Sequence, residues 1–361
     1  MRIDRATLLP LVQHAAEIAD KGSPNITGCA RLVAGLDRLT AQATDHERSG
    51  DGWAAADGDG EWSVCVPAAQ LAKLVGLLPD GATVSLLPDG DTLLRVEAGR
   101  ARYTLAGMPA AEFPDLSDLD ALGTEPAGVA IDSEALRRLL SLAATVSQDD
   151  GRPAICGVYL HGDGQTLRAV ATDGHRLTTA TIDAAVTIDA ILHRGALGSL
   201  RRMLDASPMV WLSRAGRGIV FASHGRRLVC RAIEANFPDY TKAVPAANAG
   251  EPVAIDADAL LADVNRVAPM AAGADAIMRL TLTASGLALD ASGGNGDAHA
   301  ELDADWTGKP ATYGINPAFL RDACRSLGGT LTLRLRDTVS PIRITSDAAP
   351  GAVVVLMPMR L

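Results

Sequence analysis

The feature that most constrains this chain is an internal repeat of about 120 residues. Ile-Asp opens a helical pattern three times, at Ile3-Asp4, Ile131-Asp132 and Ile255-Asp256, with offsets of 128 and 124 residues. Phe-Pro-Asp occurs at 113–115 and again at 237–239, also 124 residues apart. Because the chain has 361 residues, three copies of one unit fill it. We therefore predict three domains, at residues 1–124, 125–249 and 250–361.

Each copy follows the plan helix, strands, helix, strands. Asp4, Asp132 and Asp256 precede apolar stripes at helical spacing, so we expect them to cap helices through their side chains. Pro67 and Asn316-Pro317 predict starts of second helices. The six predicted helical windows are 4–19, 67–78, 132–144, 195–205, 256–268 and 316–328.

Short β-like runs surround these helices, about eight in each copy. They predict an α+β fold in which helices pack on antiparallel sheets. Such units, placed side by side, form curved bodies whose helices and sheets face opposite ways. The Gly- and Asp-rich stretches 57–60 and 293–297 are typical of hairpin loops.

Composition narrows the functional classes. A net charge of −10 argues against a tight nucleic-acid binder unless the cations are concentrated on one face. The five cysteines are far apart and form no C-x-x-C pair, which favours reduced thiols in a cytoplasmic protein over a disulfide framework or a zinc site. No apolar run approaches about 18 residues, and the first residues read as a mature helix rather than a signal peptide.

The chain contains none of the sequence motifs of nucleotide-binding loops, zinc proteases or serine hydrolases. One cluster, Asp173-Gly174-His175, leaves three interpretations open. Asp and His two residues apart are suited to acid–base chemistry or metal binding. Asp-Gly is also a strong turn former, and the run is suited to a binding surface.

The Ala171–Leu177 run (ATDGHRL), the terminal Val355–Leu361, the FPDL and FPDY segments and the threefold plan together carry a resemblance. The chain resembles bacterial DNA polymerase III β subunits, the replicative sliding clamps, over its whole length, although residues 20–60 follow the pattern only loosely. The resemblance implies a non-catalytic protein without cofactor or metal. It implies three clamp domains that form a ring as a head-to-tail homodimer, with helices inside and sheets outside.

Such a ring encircles duplex DNA without sequence preference, is loaded by a clamp loader, and tethers DNA polymerase and other proteins. Partners insert a short peptide, with a Gln and apolar or aromatic anchors, into a pocket. The positions here that match the family's pocket are Ile155, Thr172, Gly174, His175, Arg176, Leu177, Pro238, Lys242, Ala243, Asn316, Phe319, Val339, Pro341, Val355, Leu356, Met357, Pro358, Met359 and Arg360.

This pocket departs from the family at several positions. Lys242 stands where an Arg is common, Phe319 where a Tyr is common, and Pro341 where a small polar residue is common. Asp275 lies near a position that is often aromatic. We expect these changes to alter the preference for partner peptides while binding is retained.

The predicted helices carry equal numbers of basic and acidic residues, so the rest of the chain carries the whole net charge of −10. Basic residues lie off the apolar stripes, which is where a DNA-facing lumen needs them, although Asp258 and Asp263 make the fifth helix an exception. The predicted DNA-facing residues are Lys73, Arg137, Arg138, Arg201, Arg202, Arg266, Arg321 and Arg325.

Other functions remain open from sequence alone. They are a hydrolase or metal enzyme centred on Asp173 and His175, a repeat scaffold that binds proteins but no DNA, and a specialised plasmid- or phage-type clamp paralogue. The interface that would close a ring has no local sequence pattern. Met270 and the helix stripe from Leu71 to Leu78 are the candidates for it.

Overall fold

A computed structural model describes residues 1–116, 119, 122–123, 126–142, 145–271, 276–294 and 296–361. Within these residues the chain forms 24 strands and six α-helices, eight strands and two helices in each copy. Asp275 and Asn295, the latter within the predicted loop 293–297, lie outside the described residues.

The first copy contains helices α1 (Arg5–Ile18) and α2 (Ala68–Leu77). Its strands are β1 (Arg2–Asp4), β2 (Cys29–Ala34), β3 (Arg38–Thr44), β4 (Arg48–Ala55), β5 (Trp62–Pro67), β6 (Thr83–Asp89), β7 (Leu93–Ala98) and β8 (Ala101–Ala106).

The second copy contains α3 (Ser133–Leu142) and α4 (Leu197–Asp205). Its strands are β9 (Val129–Asp132), β10 (Gly157–Asp163), β11 (Thr166–Thr172), β12 (Arg176–Asp183), β13 (Thr187–His193), β14 (Met209–Ala215), β15 (Gly218–Ser223) and β16 (Arg226–Arg231).

The third copy contains α5 (Ala257–Val267) and α6 (Pro317–Leu327). Its strands are β17 (Glu251–Asp256), β18 (Met278–Thr283), β19 (Gly286–Gly293), β20 (Gly296–Leu302), β21 (Ala311–Ile315), β22 (Thr330–Leu335), β23 (Ile342–Ser346) and β24 (Val353–Leu356). All six helices fall within the predicted windows, and β2 to β4 follow the common plan although residues 20–60 matched the family pattern loosely.

The strands form four antiparallel sheets, two of which join neighbouring copies. One eight-stranded sheet has the order β5-β2-β3-β4-β16-β15-β14-β9, and the other has the order β13-β10-β11-β12-β24-β23-β22-β17. We call the β4–β16 pairing the first junction and the β12–β24 pairing the second junction. The four-stranded sheets are β1-β6-β7-β8 and β20-β19-β18-β21.

Contacts divide the chain into two compact units. One comprises residues 1–137 with 192–232 and contains the first junction. The other comprises residues 138–191 with 233–361 and contains the second junction. The middle copy contributes to both units because one of its sheets pairs with each neighbour.

The helix starts follow the predicted caps with one exception. Asp132 accepts a hydrogen bond from the Ala135 amide, and Asp256 accepts one from the Ala259 amide, both at 2.9 Å. The prediction for Asp4 was wrong, because its carboxylate makes no capping bond and instead accepts the Thr83 hydroxyl. Strand β1 ends at Asp4 and pairs with β6, which places Thr83 opposite it.

The apolar stripes of the helices face the cores of the copies, as the periodicity predicts. Leu8, Leu71, Leu136, Leu260 and Leu320 are all buried. Residues 57–60 join β4 to β5, which are not neighbours, so the hairpin predicted there was wrong. None of the described helices is long and apolar enough to cross a membrane.

A buried ion pair secures the first junction. Arg227 of β16 lies directly opposite Asp51 of β4, and its Nε donates to the Asp51 carboxylate at 2.9 Å. The same guanidinium donates to the backbone carbonyls of Leu119 and Gly123, in the linker that follows the first copy. Both charged side chains are more than nine-tenths buried, so each needs the other to offset its lost hydration.

Replacing Arg227 with Ala should destabilise the first junction by about 3–5 kcal/mol, because Asp51 would stay buried without a counter-ion. Urea unfolding followed by circular dichroism measures this loss. The double variant Asp51→Thr, Arg227→Val carries the residues of the equivalent pair at the second junction, Thr179 and Val353. It should recover most of the lost stability. A double variant no more stable than the single one would contradict the assignment.

Candidate functional site

The ATDGHR run forms a hairpin turn that the first copy repeats. Asp173 accepts from the amides of His175 and Arg176 and from the Arg176 guanidinium, at 2.9–3.0 Å. Residues 43–48, ATDHER, form the same bonds, with Asp45 accepting from the amides of Glu47 and Arg48 and from the Arg48 guanidinium. The turns precede β12 and β4, the strands that make the two junctions.

The fourth residue of each run has a positive φ. It is Gly174 in the second copy, with φ 94°, and His46 in the first, with φ 73°. A Cβ on Gly174 would lie 2.8 Å from the Arg152 guanidinium. Arg152 also donates to the Asp173 carbonyl at 3.3 Å, so glycine favours this backbone angle and lets the flexible Arg152 side chain approach closely.

The arginine that ends each turn reaches into the next copy. Arg48 donates to the Ser199 hydroxyl at 2.8 Å and to the Gly195 carbonyl. Arg176 donates to the Asp322 carboxylate at 2.7 Å and lies 4.4 Å from the centre of the Phe319 ring. Each arginine thus fastens a strand edge to the second helix of the following copy.

The two junctions differ in the polarity of the sheet surface beside the turn. At the first junction three equivalent cross-strand positions hold Arg31, Gln42 and Ser49, and Arg31 donates to Gln42 at 2.7 Å. At the second junction the same positions hold Tyr159, Val170 and Leu177. We call Tyr159, Val170, Leu177 and Val355 the apolar floor of the second junction; Val170, Leu177 and Val355 form one core cluster, and Tyr159 packs against it.

The linkers also differ. After Phe113, the first linker packs Leu116, Leu119 and Leu122 against the cluster at its own junction. After Phe237, Tyr240 and Val244 pack against the apolar floor, but Pro238, Lys242 and Ala243 are exposed. Both linkers therefore cover the sheet at their junctions, and the exposed residues at the second junction lie in the linker beside the buried floor.

The C-terminal residues border the apolar floor on the other side. Val355 pairs with Leu177, the Met357 amide donates to the His175 carbonyl at 3.0 Å, and the Met359 amide donates to the Gly314 carbonyl at 2.8 Å. Met357 is exposed, while Pro358 and Met359 are half-buried. Flexible methionine side chains at an accessible apolar surface suit partners of different shapes.

Most predicted pocket residues lie around the apolar floor, but several have structural roles. Asn316 caps α6 by accepting from the Ala318 amide, and Ile155 is buried. Lys242 pairs with Asp239 at 3.1 Å, so its charge is partly neutralised. Val339 is exposed, and Pro341 and Thr172 are half-buried. Leu356 is buried, whereas Arg360 is exposed beside the third copy's free sheet edge.

Phe319 contacts both the turn and a separate cavity. Its ring stacks on His175 with centroids 6.4 Å apart. On the other side of the same strands, Phe319 and Arg176 line a cavity of about 410 Å³ together with residues of α3 and α6. Phe319 lacks the hydroxyl of the Tyr that is common at this position in the family, and these ring contacts do not depend on that hydroxyl.

The sequence analysis missed Tyr159, Phe237, Tyr240 and Asp322. Tyr159 stacks on Phe237 at 4.9 Å, and Asp322 anchors Arg176. The offset of 128 residues between ATDHER and ATDGHR equals the first Ile-Asp offset, so aligning the copies would have revealed the turn.

The Asp173 carboxylate is occupied by backbone amides and by Arg176, which leaves it poorly placed as a base or a metal ligand. In the described part of the chain, no three His, Cys, Asp or Glu side chains cluster closely enough to hold a metal ion. The turn therefore serves to shape the surface rather than to supply reactive groups.

The predicted DNA-facing residues fall into two groups. Arg137 pairs with Glu134 and Asp205, Arg202 pairs with Glu17 at 3.1 Å, and Arg266 pairs with Asp263. Within the described residues the others have no ion-pair partner, and all but half-buried Arg321 are exposed; these five are Lys73, Arg138, Arg201, Arg321 and Arg325.

Family models for the N-terminal, central and C-terminal domains of the DNA polymerase III β subunit match residues 1–117, 130–239 and 241–360. Three copies of one clamp unit in tandem, joined by paired edge strands, define a sliding-clamp architecture. The chain belongs to the DNA polymerase III β subunit family.

Relatives match over their full length. The β sliding clamp of Caulobacter vibrioides is 32% identical over 100% of both chains, and that of Proteus mirabilis is 28% identical over 99% of both. The solved C. crescentus β sliding clamp is 31% identical, with a TM-score of 0.91 over 100% of this chain and 98% of that one. A Pseudomonas aeruginosa sliding clamp bound to griselimycin is 26% identical, with a TM-score of 0.91 over 100% and 99%.

Replacing Gly174 with Ala should cost about 1–2 kcal/mol, since the positive φ and the Arg152 contact both oppose a Cβ. Hydrogen exchange at the His175 and Arg176 amides should accelerate with the local loss of stability. His46→Gly is the matched control, because it relieves the same backbone angle and should leave the first turn at least as stable. Equal exchange rates in Gly174→Ala and wild type would contradict this account.

Proposed function

We propose that this chain is the replicative sliding clamp of its cell, a cytoplasmic protein that encircles duplex DNA as a homodimer and tethers DNA polymerase without catalysing a reaction. The repeated junctions carry this proposal. Matches over the full length of three clamp domains favour it over a specialised paralogue or a scaffold that binds no DNA. The boundaries proposed for the three domains remain 1–124, 125–249 and 250–361.

The junctions imply how a ring closes. Six strands occupy equivalent edge positions, and four of them pair within the chain, β4 with β16 and β12 with β24. The remaining two are β20, the counterpart of β4 and β12, and β8, the counterpart of β16 and β24. Both end their sheets in the described part of the chain. Pairing β20 of one copy with β8 of a second satisfies both edges and closes a head-to-tail ring of two chains.

The helices support the same third junction. The stripe Leu71, Val75 and Leu78, predicted as an interface candidate, is buried within its own copy, but the neighbouring Leu77 is two-thirds exposed. Leu71 of α2 and Leu200 of α4 occupy equivalent buried positions. Leu77 and Ala206 both lie six residues further on, and Ala206 lines a cavity with α1 at the first junction. An exposed leucine at this place indicates a covering surface supplied by another chain.

The partner site we propose is the surface of His175, Phe319, Met357 and Met359 at the edge of the apolar floor. It suits a short peptide with apolar anchors and few polar contacts. Polymerase subunits, the clamp loader and other proteins that carry such a peptide are the proposed partners.

Met359→Ala and His175→Ala should each weaken binding of a labelled peptide carrying a Gln and apolar anchors by about tenfold, a typical loss for an anchor contact. Fluorescence anisotropy measures the affinity. The control is Glu47→Ala, since Glu47 occupies the position of His175 in the first turn and should not affect binding. Equal losses in all three variants, or no binding by wild type below millimolar concentration, would refute the site.

The unpaired cations should dominate the interaction with DNA. Replacing Arg201 and Arg325 with Gln should reduce retention on nicked circular DNA and lower the slope of log affinity against log salt by about one for each phosphate that is no longer neutralised. The control Arg336→Gln removes an exposed guanidinium that lies off the helices. A control that loses as much retention as the double variant would contradict the proposed DNA-facing surface.

A further inference from the structure

The edge strand proposed to close the ring carries a histidine between two carboxylates. The His299 Nδ1 lies 2.6 Å from Asp290 of β19, and its Nε2 lies 3.1 Å from Glu301 of β20. The ring is about half exposed. These neighbours raise the pKa of His299 above its ordinary value, with Asp290 as the larger cause and Glu301 as the next.

Strand register identifies what His299 corresponds to at the other junctions. Gln42 pairs with Asp51 in the first copy, Val170 with Thr179 in the second and Asp290 with His299 in the third, each at the same distance from the hairpin turn. Across the first junction Asp51 faces Arg227. His299 therefore occupies the place of the buried carboxylate that secures that junction.

The matching position on β8 is Arg102. In the second copy Ala222 pairs with Arg227, two residues from the turn between β15 and β16. In the first copy Glu97 pairs with Arg102 at the corresponding distance from the turn between β7 and β8. Arg102 is 79% exposed, and its guanidinium is 3.8 Å from Glu97, so it remains available for a stronger partner.

Building on the ring proposed above, we infer that β20 pairs with the second copy's β8 in the register that places His299 opposite Arg102, and that protonation of His299 opposes ring closure. The same register sets Glu301 opposite Arg100 and Asp297 opposite Thr104. When His299 is neutral, Asp290 and Glu301 are free to bind the incoming Arg102. When His299 is protonated, it occupies both carboxylates and presents a like charge to the arginine.

The other charged groups near His299 do not change the direction of this effect, in which protonation of His299 opposes ring closure. Arg279 pairs across from Asp290 on β18, and Arg360 lines the same outer surface. Helix α5 packs on β20 and β19, and its Arg266 is paired with Asp263. The buried His14 has its pKa lowered to about 4 by desolvation, so it stays neutral over the range considered.

Proton linkage sets the direction in which dimer dissociation depends on pH. The open edge binds the proton on His299 more tightly than the closed edge does, because Arg102 competes for the same carboxylates. Dissociation therefore takes up protons and becomes more favourable as the pH falls through the raised pKa of His299. Closure is strongest at a pH above that value, and both junctions between chains contribute.

Sedimentation equilibrium of the full chain from pH 8 to pH 6 tests this. The dissociation constant of the wild-type dimer should rise by about tenfold or more over this range. His299→Gln keeps a polar side chain that does not titrate, and its dissociation constant should change by less than about twofold. Arg102→Gln should weaken the dimer at pH 8 and reduce its pH dependence.

The outcomes separate this inference from the ring itself. A His299→Gln dimer that keeps the full wild-type pH dependence would overturn the role of His299, while the ring would stand. A wild-type chain that is monomeric at micromolar concentration at every pH would overturn both. An Arg102→Gln dimer as tight as wild type at pH 8 would refute the proposed register.

Discussion

Antiparallel pairing between edge strands of neighbouring copies is the constraint on which the rest of the molecule depends. Each copy contributes two of the six equivalent edge strands, whose backbone groups are costly to leave buried without a partner and prone to pair with other chains. Inside the chain, β4–β16 and β12–β24 satisfy four such edges. The counterpart edges β20 and β8 are the ones that we propose to pair between two chains, as β4–β16 and β12–β24 pair within one.

The same type of turn has different surroundings at the different junctions. In the first copy ATDHER places Arg48 against α4, the linker covers the surface with leucines, and the Asp51–Arg227 pair secures the strands. In the second copy ATDGHR places Arg176 against α6, and the sheet beside the turn is apolar and packed by Tyr240 and Val244. In the third copy Gly296 takes the position of the arginine. The junction between chains thus lacks the arginine link that holds the other two, which suits a ring that must open for DNA.

Much of this architecture follows from sequence because period, caps and apolar stripes act locally. The Ile-Asp repeat located the first helix of each copy, and Asp132 and Asp256 cap as their spacing predicts. The capping prediction failed at Asp4 because its carboxylate accepts the hydroxyl of Thr83, the residue opposite it on β6. Only the register of the sheet shows that pairing. The family resemblance found His175 and Met359, but not Tyr159 or Asp322, whose roles depend on contacts between distant segments. The proposed pairing of His299 with Arg102 rests on the register of three hairpins, and no local sequence pattern carries that information.

Disulfide trapping at the proposed third junction tests the central claim most directly. Directly opposed residues of antiparallel strands lie about 4.5–5.5 Å apart at Cα, within reach of a disulfide. A chain carrying Thr104→Cys and Asp297→Cys should form a covalent dimer under mild oxidation, whereas Ala101→Cys with Asp297→Cys, out of register, should not. The native cysteines are buried and should remain reduced. Absence of the covalent dimer, or equal trapping in both variants, would contradict the account.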